Sequence, residues 1–257
     1  MALPGLRIAS AQPEPDAHER PELVVCQDFF PYTGVVDGKP AGLIVDLVQA
    51  AYSAVGVSID YRPTPYVRCL NEAERGQALG CFAIGRDAPS FTLGKLIAHR
   101  TAISTFGLGL FVLSNSPLKS LRLQDMRNLR VAVAKDAAYG EMFERSTQGI
   151  RVDALNEITC LRMVARGRVD AALVDQRSCA HLVRSNQQEF GGLLRDAALP
   201  GSFPTMFLYI GFAARRPESR KYAELMDQGL AAIKASGEYE RISERWSSSL
   251  APAPTPR

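Results

Sequence analysis

Apolar positions recur along this chain with two different periods, and they switch in a regular order. Leu23 to Cys26 is a short apolar run of strand length. Between Gly42 and Val55 the apolar residues fall at Leu43, Ile44, Leu47, Val48, Ala51 and Val55, the three-and-four spacing of a one-sided helix. "VSIDYRP" then alternates as a second strand, and "YVRCLNEAERG" after Pro65 reads as a helix that stops at Gly76. "GCFAIG" makes a third strand. Strand, helix, strand, helix, strand is the order of a parallel sheet covered by helices.

The order then starts again. "LRVAVA" predicts a strand, "AAYGEMFERST" a helix, "IRVDAL" a strand, "EITCLRMVARG" a helix and "VDAALVD" a strand. Cys69-Leu70 precedes Gly76 by the same interval at which Cys160-Leu161 precedes Gly167. The pattern predicts two α/β lobes of like architecture. Two glycine-bearing apolar strands, "FGLGLFVL" and "TMFLYIGFAAR", flank the second lobe and predict a two-stranded hinge. The closing helices, "SRKYAELMDQGLAAIKASG" and "YERISERW", are expected on lobe one or bracing both lobes.

Composition changes this picture little. The 257 residues are 46% hydrophobic and 22% charged, as in folded globular proteins, and the net charge of +3 is spread without basic runs, which gives nucleic acid no footprint. No apolar stretch reaches membrane-spanning length. The start, "MALPGLRIASAQPEPDAHERP", lacks an apolar core long enough for an export signal. Its "ASAQ" nevertheless looks like the end of a cleavage site before a Pro- and Glu-rich mature start. A trimmed or misplaced start and a cytosolic protein are the two readings. "SSSLAPAPTPR" is expected to be disordered. Five cysteines (Cys26, Cys69, Cys81, Cys160, Cys179) and three histidines (His18, His99, His181) show no metal-ligand spacing, so neither a metal nor another cofactor is expected. Cys69 and Cys81 suit either a disulfide from a helix to the next strand or two buried thiols.

The segments "FFPYTG…GKPAGLIVDLVQAAYSAVG", "TPYVRCLNEAERGQALGCF", "ARGRVDAALVD" and "AIKASGEYERISERW" together resemble a family-3 extracytoplasmic solute-binding protein of bacterial ABC importers, as a divergent member. The resemblance runs from about Pro21 to Trp246. It implies the type II periplasmic-binding-protein fold: lobe one from residues 22–108 and 212–247, lobe two from 109–211, an extension at 1–21 and a tail at 248–257. It further implies a periplasmic, monomeric receptor that binds a small polar ligand, partners importer membrane subunits and carries no catalytic residue.

In open parallel sheets, ligands sit beyond the carboxyl ends of the strands. Asp28, Phe29 and Tyr32 follow the first strand there, as an acidic group and an aromatic wall. Relatives of this kind hold a ligand ammonium with a lobe-two aspartate, whose position matches Asp175. Asp175 reads equally as a cap of the helix after it, and Asp170 reads as a structural residue at its turn. The lobe-one arginine that takes the ligand carboxylate is missing from the "IGRDAPSFTLGKLIAHR" window. Arg86, after strand three, and Arg68, in "TPYVRC" beside Tyr66, are the two candidates to replace it. Without the usual residue, amino acids, amines and organic acids all remain as ligand classes. Backbone amides from Ala137 to Tyr139, behind Asp136 as a helix cap, would suit an anionic oxygen; Tyr139 either enters the cleft or covers its helix. Two other functions share this scaffold: a ligand-sensing module of a larger receptor, and a dehydratase-like enzyme using Asp28, Asp175 or Glu141 as acid or base.

Overall fold

The computed structural model describes residues 20–86, 88–135, 139, 150–203 and 205–250. Strand Glu22–Cys26 (β1) buries four of its five residues, as a strand must when helices cover both faces of its sheet. The short strands Gly34–Val36 (β2) and Lys39–Ala41 (β3) follow, then helix Leu43–Ala54 (α1), strand Asp60–Thr64 (β4), helix Tyr66–Glu74 (α2) and strand Gly80–Gly85 (β5). Beyond these come a helical turn Pro89–Thr92 (α3), strand Leu96–Ala98 (β6) and the long strand Ser104–Leu113 (β7). The second half runs Arg130–Ala134 (β8), Ile150–Ala154 (β9), helix Glu157–Ala165 (α4), Ala171–Asp175 (β10), helix Gln176–Ser185 (α5), helix Gln187–Phe190 (α6) and Leu194–Asp196 (β11). It returns along Thr205–Ala213 (β12) and ends in helices Ser219–Ala235 (α7) and Glu238–Leu250 (α8).

Ten strands form one curled sheet in the order β4-β1-β5-β12-β7-β10-β8-β9, with β6 beside β12 and β11 beside β7. Pairing is parallel within β4-β1-β5 and within β10-β8-β9. The two crossing strands are antiparallel to their neighbours. Ser104–Gly107 of β7 pairs with Thr205–Leu208 of β12, and β7 then continues from Leu108 to Phe111 against β10. β12 likewise continues from Leu208 against β5 and β6. These two strands therefore connect two α/β lobes with separate cores. One core gathers Leu23, Ile44, Phe82, Ile210, Phe212 and Leu230, and the other side packs around Leu110, Val133 and Leu173 and around Leu161, Val174 and Phe190.

Several local features differ from the sequence pattern. The second strand starts at Asp60 rather than Val57. Hairpin β2–β3 was not expected; Asp37 and Gly38, with φ of 50° and 76°, form the two-residue Asp-Gly turn that such hairpins favour. The final helix continues to Leu250, into the segment expected to be disordered, because adding residues to an existing helix needs no new nucleus. Cys69 of α2 and Cys81 of β5 form a disulfide, while Cys26, Cys160 and Cys179 are buried thiols. Gly76 and Gly167, the matched glycines of the two halves, both end their helices at positive φ, 74° and 64°. His18, Asp136, Ala137, Glu141 and the helix expected over "AAYGEMFERST" lie outside the described residues, apart from Tyr139.

Candidate functional site

The aromatic loop after β1 is fixed by the start of α1. A helix begins with backbone N–H groups that have no partner inside it. Here the amide of Leu43 donates to the carbonyl of Pro31 and that of Ile44 to Tyr32, each at 2.9 Å. Tyr32 and Thr33 in turn donate their amides to the Phe29 carbonyl. Gly42 allows this close approach: its φ is 135°, and a Cβ there would stand 2.3 Å from the Tyr32 carbonyl oxygen. The loop is thus held on the helix end, and the side chains of Phe29 and Tyr32 project from it as a pair. Their rings stack at 4.8 Å with 20° between planes, and Phe106 of β7 meets both edge-on.

Asp175 ends β10 and opens α5, only 1% exposed. Its two oxygens do different work. Oδ1 accepts the Ser178 amide at 2.8 Å and caps α5. Oδ2 accepts the Tyr32 hydroxyl at 3.2 Å, a contact from lobe one to lobe two. Burial raises the Asp175 carboxyl to about 6, against the lowering effects of those hydrogen bonds. Directly behind it, Glu157 at the start of α4 accepts the Asp175 amide at 3.3 Å. Burial of that carboxyl, then the neighbouring charge of Asp175, pushes Glu157 up to about 8. Tyr32 is fully buried, and desolvation followed by the Asp175 charge moves its phenol well above the ordinary range. Arg177 places its guanidinium 5.9 Å from the centroid of the Tyr32 ring. At the rim, Phe30 of the same loop packs against His181 of α5 at 4.4 Å and against Trp246 of α8 at 5.6 Å.

The remaining candidates lie apart from this contact. Asp28 is exposed. Tyr66 packs at the edge of the small core around Cys69 and Cys81. Arg68 is turned to solvent and to Glu72, its partner one helical turn away at 2.7 Å, which also binds Arg62. Arg68 lines a shallow hollow along α2 with Val67, Asn71 and Arg75, among residues none of which belongs to the Tyr32–Asp175 contact. Arg86 is exposed after β5, with its guanidinium 5.5 Å from the Tyr209 ring of β12. Tyr139 is 3% exposed within the lobe-two core, and its oxygen accepts the Ala134 amide. Asp170 accepts the Arg130 amide and pairs with its guanidinium, holding the start of β8.

The sequence reading missed four residues that gather here. Glu157 carried only a helix-start signal after Asn156, which does cap α4 by accepting the Thr159 amide. Phe106 read as hinge strand, and Arg177 and Ser178 as ordinary helix positions. Of the histidines, His99 accepts the Ile210 amide at 3.1 Å, with burial lowering its pKa to about 4, and His181 packs against Phe30 with its ring tilted by 49°.

No family model matches the sequence, and no characterised protein matches it by sequence comparison. Solved structures do match it in shape. A histidine kinase sensor domain with similarity to periplasmic binding proteins superposes with a TM-score of 0.76 at 22% identity, over 90% of this chain and 97% of that one. The arginine-, lysine-, histidine-binding protein ArtJ from Geobacillus stearothermophilus superposes with a TM-score of 0.72 at 17% identity, over 92% and 97%. The VFT2 domain of BvgS from Bordetella pertussis gives 0.72 at 18% identity, over 89% and 94%. The chain has the two-lobed α/β fold of the type II periplasmic binding proteins.

Proposed function

We propose that the chain is a solute-binding receptor. It captures a small polar ligand, an amino acid or a related amine or organic acid, in the cleft between its lobes and hands it to an ABC importer in the periplasm. The observation that carries this reading is Asp175: a buried carboxylate at a strand's carboxyl end, with one oxygen capping its helix and the other meeting Tyr32 of the opposite lobe. A ligand cation meeting that oxygen in a closed cleft gains more from the pair than it would at a surface. Residues 22–108 with 212–247 would move against 109–211 about β7 and β12 as the cleft opens and shuts. Solved neighbours of the same fold include the substrate-binding protein of an amino acid ABC transporter.

A second reading, a sensing module of a larger receptor, is favoured by the direct contact of Tyr32 with Asp175. That contact lets the lobes communicate through their own side chains, and a histidine kinase sensor domain shares the fold over almost its whole length.

The test is a thermal-shift screen with α-amino acids, polyamines, dicarboxylates and aromatic carboxylates, followed by NMR of the recovered ligand. A ligand at a hundred times its Kd adds about 2.7 kcal/mol of stability. A hit abolished in Asp175→Asn and recovered chemically unchanged supports the receptor; a converted ligand makes the protein an enzyme. A panel without any hit overturns the reading.

A further inference from the structure

Resting on the reading of two lobes that move about β7 and β12, we infer that this chain latches its lobes shut by itself. One face of α5 in lobe two is gripped between the aromatic loop and helix α8 of lobe one, so that ligand entry requires the latch to open first.

The two helices offer matching faces. Arg177 and His181 stand four residues apart on α5, and Tyr239, Ile242 and Trp246 follow three-and-four spacing on α8, so each set shares one side of its helix. Helix α8 is built into lobe one. Ile242 belongs to that lobe's core, and the Tyr239 hydroxyl donates to the Ile103 carbonyl at 2.9 Å. The Trp246 indole and the Arg245 guanidinium both donate to Asp46 of α1, at 2.8 and 2.9 Å. Lobe two brings α5 against this fixed helix and the loop beside it. The Arg177 guanidinium lies over the Tyr32 ring, and its charge acts on the Tyr239 phenol against the upward push of burial. One turn further on, His181 packs against Phe30, whose ring also meets Trp246.

Together with the Tyr32–Asp175 hydrogen bond, three side chains of lobe two thus meet aromatic side chains of lobe one, and the chain's own atoms bury Tyr32 and Asp175 almost completely. Asp175, Arg177 and His181 are polar, unlike the apolar packing that makes each lobe permanent. Polar groups are solvated when the lobes part, which keeps the grip reversible. Each ring contact is modest, and losing one shifts the balance of open and closed forms roughly two- to ten-fold. Several on one hinge hold it shut, and a ligand that needs the open form binds more weakly by the fraction that is open.

Trp246 is the chain's single tryptophan, so its fluorescence reports on this junction alone. The experiment combines small-angle X-ray scattering with acrylamide quenching of Trp246, on purified protein whose native mass spectrum is that of the bare chain. The parent is expected to scatter as the closed structure does. The double change Arg177→Gln and His181→Asp should raise the radius of gyration and increase the quenching constant roughly two-fold or more, with far-UV circular dichroism unchanged. Arg177→Lys and His181→Phe, which keep the cation and the ring, should stay closed, a rescue that simple loss of folding would not give. Where the double variant does not fold, Arg177→Gln alone, at a partly exposed position, carries the test with a smaller shift in the same direction. A bare parent with separated lobes overturns the inference, and so does one that shuts only while a small molecule is retained in the native mass spectrum; both leave the receptor reading standing. A folded variant that matches the parent in scattering and quenching overturns it as well. Silence in the thermal-shift panel removes the receptor reading and leaves the latch.

Discussion

The hydroxyl of Tyr32 donates to Oδ2 of Asp175 from one lobe to the other, joining residues 143 positions apart and both almost wholly buried. One residue comes from a loop seated on a helix end in lobe one, the other from the last position of a lobe-two strand. The contact reports how the lobes meet. A single hydrogen bond to a charged group contributes about 1.5–3 kcal/mol, enough to bias a hinge equilibrium by an order of magnitude or more.

Tyr32→Phe keeps the ring stack with Phe29 and removes only the hydroxyl. The expected result is a loss of about 1–2 kcal/mol in thermal stability and a larger radius of gyration by small-angle X-ray scattering. An unchanged radius with the same loss of stability would show that the aromatic contacts alone hold the lobes.

The two acids at this contact give stability an unusual pH dependence. Both Asp175 and Glu157 have folded pKa values above their unfolded ones, about 6 and about 8, so between the two values the folded state binds more protons. Their contribution is therefore greatest at low pH and is lost as pH rises through 6 and 8. His99 works in the opposite sense: buried and neutral down to about 4, it costs stability as pH falls below its ordinary 6.5. From these groups the melting temperature should rise as pH falls from 8 to 6.5, pause just below 6.5 where His99 offsets Glu157, and rise again below about 6 as Asp175 takes up its proton. Glu157→Gln should flatten the slope between pH 8 and 6.5; a slope unaltered in that variant assigns it to other groups.

The Cys69–Cys81 bridge closes a short loop between α2 and β5, with 12 residues of separation. By loop-closure entropy, a bridge of this size stabilises by roughly 3 kcal/mol. Reduction, or the double change Cys69→Ala and Cys81→Ala, should lower the midpoint of urea unfolding accordingly. Cys160→Ala should leave the response to reductant unchanged, since Cys160 is a free thiol.

Gly42→Ala should be among the most damaging single changes. The new Cβ would meet the Tyr32 carbonyl, and the backbone there has a φ that alanine avoids. A destabilisation above about 2 kcal/mol is expected, with lost ligand binding in whatever folded protein remains. A fully stable variant would mean that the loop holds its position without α1.

Much of this fold is legible in residue order, because the periods of burial are local. The spacing of Leu43, Ile44, Leu47 and Val48 makes α1 one-sided, and the glycines at 76 and 167 end their helices wherever the chain then goes. The repeated strand–helix order, the two lobes and the pair of hinge strands follow from the same local patterns, and so does the singling out of Phe29, Tyr32 and Asp175 at strand ends. The site beyond those residues was not legible. Glu157 and Arg177 look like ordinary first-turn helix residues, and Phe106 like one apolar letter of a strand. Only tertiary structure decides that Glu157 lies behind Asp175, that Phe106 meets the Phe29–Tyr32 stack, and that Arg68 turns away to Glu72. The physical reason is that burial and charge pairing depend on which lobe faces which, and that is settled by β7 and β12 crossing between the half-sheets, far along the chain from the residues they bring together.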